Sequence, residues 1–326
     1  RLFFISRYTV ENFPARFTYL PYLIMGLTAR LFHINLPLMY QLARVVFGLS
    51  FIFLIYKIIR LYFHSNKIYR IVSFFLVLFG TGFWYIKKIN NISFIYRNLS
   101  FWTEVNTLDR IFYIPHHLLS KVFMLASILI LFSSVSKKSW KLLILASFVG
   151  ILSGLSSPFV FINLIMTIII ASFVFLIIQL ISKRRIPLFL IYSFIFTIIS
   201  SSSLLYLRWV EQAGFPWNHY LEREKMMFPV TPFDIFLLYG PNTILALFAI
   251  PKIVFRKSLL DIFFLSWILE PLLGILLFTW VIPIQNIRFL SGSTFIPLGI
   301  IACEGLFVLC RLLKKYLLVP QLVTCF

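Results

Sequence analysis

The chain has 326 residues, of which 61% are hydrophobic and 12% charged, with a mean hydropathy of +0.96. So little polar surface cannot cover a water-soluble domain, and the chain is read as an integral membrane protein. Its formal charge of +20 is dispersed in short loops beside apolar runs, which points to topology and anionic headgroups and excludes nucleic acid as a partner.

Residue 1 is Arg, and no cleavable signal is evident, so the chain is expected to be a fragment whose N-terminus lies upstream. A bilayer core about 30 Å thick needs about 20 helical residues. On that ruler the sequence predicts an all-α, polytopic bundle of about nine spans forming a single domain over 1–326. The spans fall at about 38–59, 69–85, 117–135, 141–157, 158–181, 186–207, 233–254, 259–281 and 291–311. Residues 1–37 are expected to be an external remnant with an interfacial helix over 17–33, whose length is marginal and which Arg16, Arg30 and His33 flank or interrupt.

Five basic clusters occupy alternate gaps: Lys57, Arg60, Lys67 and Arg70; Lys137, Lys138 and Lys141; Lys183, Arg184 and Arg185; Lys252, Arg256 and Lys257; Arg311, Lys314 and Lys315. The positive-inside rule places these gaps and the C-terminus in the cytoplasm, as in a bacterial cytoplasmic membrane protein. The acids Glu11, Glu104, Asp109, Glu211, Glu222, Glu224 and Asp234 fall in the other gaps. Two of those external loops are long and aromatic: 86–116, flanked by Trp84 and Tyr85 and holding Tyr96, Trp102 and Tyr113, and 208–232, with Trp209, Trp217, His219 and Tyr220. Interfacial belts and sugar-stacking surfaces both account for them.

No phosphate loop, HExxH, CxxC or nucleophile elbow occurs, so no nucleotide cofactor is expected. Cys303, Cys310 and Cys325 are read as free thiols. Glu104 and Asp109, five apart in a loop, are the candidate catalytic acids; either one serves as a general base or as a ligand for a divalent metal, and a solvated loop explains them equally. His116 and His117 open a span and, on a helix, point about 100° apart, which disfavours a shared metal; one of them, His116, as a donor to phosphate or sugar and an ordinary interfacial helix start are the two readings. Arg288, with Gln285 nearby, precedes the last span, where Ser291, Ser293 and Thr294 offer caps and the helix N-terminus favours an anion such as a lipid phosphate; an interfacial Arg snorkelling to the headgroups is the other reading. Thr231-Pro232-Phe233-Asp234 reads as a capping box. Arg44, Glu270 and Glu304 lie within spans and need partners or a cavity; pairing and a proton pathway are the two readings.

The order of Pro21-Tyr22-Leu23, Arg44 at a span start, Pro115-His116 closing a loop, and Gln285-Asn286-Ile287-Arg288-Phe289 before a last helix containing Pro297 resembles the GT-C superfamily of multi-pass glycosyltransferases. That resemblance implies a polyprenyl-phosphate sugar donor, an external glycan, lipid or protein acceptor, a lateral groove for the lipid, and a catalytic acid in a first external loop that this chain enters part-way, with Glu11 the only acid of the remnant. The alternative is a multi-pass transporter or lipid flippase using Arg44, Glu270 and Glu304, with Pro271 and Gly274 interrupting its helix.

Overall fold

The computed structural model describes residues 16–18, 20–89, 92–97, 114–182, 187–215, 217–218, 230–278 and 285–317. Among them the fold is a helical bundle with one small hairpin. Helix α1 (Leu20–Leu31) spans about 18 Å by its 12 residues, too short to cross a membrane, as expected of an interfacial element. Helix α2 (Leu36–Tyr62) begins where the Asn35 side chain accepts the Leu38 N–H at 2.9 Å, with Pro37 in the first turn. Helix α3 (Lys67–Phe79) is capped in the same way by Asn66.

The expected span over 69–85 is corrected here. Helix α3 has 13 residues and stops at Gly80. Two glycines flank Thr81, and the Phe83 N–H is drawn to the Leu237 carbonyl at 2.8 Å, so the chain leaves the helix and enters an antiparallel hairpin, β1 (Trp84–Ile89) with β2 (Ile92–Arg97). That ribbon was not anticipated.

Helices α4 (Pro115–Lys137), α5 (Trp140–Ser156) and α6 (Pro158–Ile181) follow, the last two joined at Ser157 as the tight Pro-initiated turn predicts. Helix α7 (Leu188–Ser200) continues through Ser201 into α8 (Ser202–Glu211). The expected span over 233–254 is two helices, α9 (Pro232–Tyr239) and α10 (Pro241–Arg256), bent by 97°. Gly240 holds φ +62° at the bend, and Pro241 has no N–H with which to continue α9. The capping box is present: the Asp234 N–H donates to Thr231 Oγ1 at 3.2 Å, and Asp234 Oδ2 accepts the Thr231 N–H at 2.8 Å. Helix α11 (Leu259–Leu273) passes into a π-helical turn at Gly274–Phe278; a 3-10 turn at Asn286–Ser291 then leads to α12 (Phe295–Leu317).

Among the described residues six helical rods are long and apolar enough to cross a bilayer, and seven if the bent pair counts as one. Of the expected nine, α3 and the 17-residue α5 fall short of full length. Large apolar side chains such as Phe53, Phe75, Phe148, Phe173 and Phe194 point outward from these helices, which suits lipid and not water.

Lipid removes most of the hydrophobic drive for helix association, so close packing and polar stitching must supply it. Ser120 and Ser153 exchange bonds from hydroxyl to carbonyl at 2.9 Å in both directions, pinning α4 to α5. Between α10 and α12, a methyl at Gly305 would sit 1.7 Å from the Leu245 carbonyl oxygen. Gly305→Ala is therefore expected to destabilise the protein by about 2–3 kcal/mol through forced separation of the two backbones, read as an earlier thermal unfolding midpoint in detergent; an unchanged midpoint would refute that packing.

The described basic clusters gather at one end of the bundle, where Arg256 meets Tyr62 and Arg311 reaches the Tyr69 hydroxyl. Residues 183–185 lie outside the described residues.

Candidate functional site

At the opposite end, four basic or imidazole side chains come together from two elements. Helix α4 contributes three of them. His116 and His117 open it in the turn set by Pro115, and Lys121 follows one turn later, fully buried. The two imidazole rings are 4.2 Å apart, closer than their adjacent positions suggested. The Tyr22 hydroxyl of α1 shares a 2.9 Å hydrogen bond with His116 Nδ1, so the interfacial helix fixes one ring. Arg288 comes from the 3-10 turn. Its guanidinium lies over the Phe159 ring at 4.7 Å, in the first turn of α6, and it acts electrostatically, with Lys121, on both imidazoles.

Why the 3-10 turn holds still follows from its tethers. The Asn163 amide of α6 donates to the Arg288 carbonyl at 3.1 Å, and the Trp267 indole of α11 donates to the Gly292 carbonyl at 2.7 Å. Gln285 is buried at the head of the turn, where its carbonyl accepts the Arg288 N–H at 2.9 Å. The structure thus brings Arg288 and His116 into one cluster and sets Gln285 at its border. Lys121 was missed in the sequence. The available signal was a lone cation inside an apolar span, four residues after His117 on the same helical face.

Glu104 and Asp109, like Glu11, lie outside the described residues. The intramembrane trio does not converge. Arg44 is half-buried and donates to Gln41 at 3.1 Å on its own helix. Glu304 is ion-paired with Lys252 at 2.8 Å and Arg256 at 3.0 Å, which fulfils the pairing reading. Glu270 is fully buried on α11, and neither carboxyl oxygen forms a hydrogen bond.

Of the aromatic residues expected around the external loops, Trp209 is exposed and stacks under Arg16 at 4.4 Å, while Trp217 is buried. Trp102, Tyr113, His219 and Tyr220 lie outside the described residues. Among the described residues no three His, Cys, Asp or Glu side chains cluster as a metal site.

Chemically, the cluster is a cationic seat beside aromatic rings at the end of an apolar bundle. Such a seat has the chemistry to hold an anionic group such as a phosphate. No protein-family model, curated protein or solved structure matches the chain.

Proposed function

We propose that the protein is a membrane glycosyltransferase that takes a sugar from a polyprenyl-phosphate donor and passes it to an acceptor on the external face. The observation that carries this reading is the convergence of Lys121, Arg288, His116 and His117 at one end of the bundle. In the reaction the acceptor oxygen attacks the anomeric carbon and the bond to the phosphate oxygen breaks. Charge builds on the departing phosphate, where fixed cations in a poorly solvated site stabilise it most. Glu104 or Asp109 takes the acceptor proton in this scheme. No nucleotide site is required, because the donor is already activated.

The test is direct. Purified full chain in nanodiscs is expected to bind polyprenyl phosphate at least about tenfold tighter than the uncharged polyprenol, and to consume a radiolabelled polyprenyl-phosphate sugar in the presence of membrane acceptors. Equal binding of phosphate and alcohol, with the labelled donor intact, sinks the proposal.

A second reading, an anionic-lipid transporter, is favoured by the 97° bend at Gly240 and the π-helical turn at Gly274–Phe278, since interrupted helices are how transporters build sites at membrane depth. Movement of labelled polyprenyl phosphate between leaflets without sugar transfer would select it.

A further inference from the structure

Three breaks in helical geometry meet around one carboxyl group. Glu270 lies one turn before the π-helical turn that starts at Gly274. Tyr239 is the last residue of α9, immediately before the positive-φ bend at Gly240. Thr294 follows Ser293, which holds φ +55°, and precedes α12. Irregular backbone at membrane depth persists where it is enclosed by protein and lines a site.

The breaks are close in space: the Trp267 indole, three residues before Glu270 on α11, donates to the Gly292 carbonyl at 2.7 Å, and Tyr239 packs on the cluster that holds Ile275 and Phe289. Both oxygens of Glu270 are buried and form no hydrogen bond among the described residues, and the buried Tyr239 and Thr294 hydroxyls have only each other as a partner. Tyr239 stands beside Thr294 and within electrostatic reach of Glu270. Among the described residues no charged side chain acts on Glu270, and Tyr239 packs on an apolar cluster that includes Ile235, Leu238, Ile275 and Phe289. Buried polar groups normally find partners, and a buried carboxylate without a counter-charge is costly. Two unpartnered carboxylate oxygens beside two hydroxyls, with a single negative charge, match a hard cation of charge +1: a monovalent ion neutralises Glu270, whereas a divalent ion would leave a net charge in a low-dielectric interior.

We propose that Glu270, Tyr239 and Thr294 form a binding site for one sodium ion between α9, α11 and α12. The site ties together the three interrupted elements, so its occupancy stiffens the end of the bundle that carries the 3-10 turn. It is separate from the Lys121 and Arg288 cluster and stands whether or not sugar transfer is observed.

The experiment uses purified full chain in nanodiscs, in sodium chloride or in choline chloride of equal ionic strength. Saturating sodium is expected to raise the thermal midpoint by about 3 °C or more. Dicyclohexylcarbodiimide, which modifies carboxyl groups in apolar sites, is expected to label Glu270 in choline, as located by peptide mass spectrometry. Sodium at ten times its Kd should slow that labelling about tenfold, by mass action. Glu270→Gln should remove both the label and the sodium-dependent shift. Thr294→Val, which keeps the volume, should label normally in choline but need several-fold more sodium for half-protection, and it carries the test if Glu270→Gln does not fold. Equal midpoints and equal labelling in the two salts mean that a proton alone resides on Glu270 and overturn the proposal. A full sodium shift retained in Glu270→Gln overturns it as well.

Discussion

Asp261→Asn is expected to lower stability by about 3 kcal/mol, one of the two largest effects anticipated for a single side chain in this fold. Asp261 is fully buried at the first turn of α11. Its carboxylate accepts from the Arg256 guanidinium, from the Tyr62 hydroxyl at 2.6 Å and from the Ser258 hydroxyl at 2.6 Å. Arg256 in turn pairs with Glu304, so one network joins α2, α10, α11 and α12. Asn keeps the shape but loses the charge and one acceptor, leaving Arg256 and Tyr62 with poorer partners. The Arg256 side chain is 39% exposed, and solvent therefore limits the loss to the lower part of the range for buried pairs. Lys252→Met should cost less than about 1 kcal/mol, since its side chain remains 38% exposed.

A thiol-reactive dye supplies the readout. Cys303 is buried and becomes reactive on unfolding, whereas Cys310 is exposed and must first be removed, together with Cys325. In that background Asp261→Asn should unfold several degrees earlier than Lys252→Met. Coincident midpoints for the two variants would show that the network does not hold the four helices.

The sequence revealed elements whose ends carry their own chemistry. The Thr231 box marked a helix start that the structure retains, and Ser157-Pro158 marked the turn between α5 and α6, whereas the Asn35 and Asn66 caps were not singled out. Hydropathy failed where an apolar run contains a backbone break. The run over 69–85 looks continuous when averaged, but Gly80 and Gly82 release the chain from the helix. Gly240 before Pro241 does the same inside 233–254. Within the membrane, the sequence identified Glu270 and Glu304 as equally costly. Which of them is paired depends on α10, whose Lys252 and Arg256 face Glu304 across about fifty residues of chain. The site was half legible: Arg288 and His116 were singled out separately, and only folding makes them neighbours. Lys121 escaped because basic residues had been read as markers of loops, and this one is in a span.

Lys121→Met provides the sharpest separation of function from stability. Met preserves most of the volume of the lysine stem, so the substitution removes the charge with little change in packing. If Lys121 serves as the seat of a lipid phosphate, Lys121→Met should weaken polyprenyl-phosphate binding roughly 10- to 100-fold, the equivalent of about 1.5–3 kcal/mol for a charge-assisted hydrogen bond, and leave binding of the uncharged alcohol as it was. Arg288→Ala should weaken binding by a similar factor, and Arg288→Lys should restore only part of it, because the planar fork is lost. The two substitutions meet on one ligand, so the double variant should lose less than the product of the single losses. Binding of the uncharged polyprenol should be the same in all of these proteins, since its chain contacts are untouched. A brace role for Lys121 predicts the opposite pattern: a midpoint lowered by several degrees, with phosphate and alcohol affinities falling together. That pattern, or fully multiplicative losses in the double variant, would remove Lys121 and Arg288 from a common phosphate site.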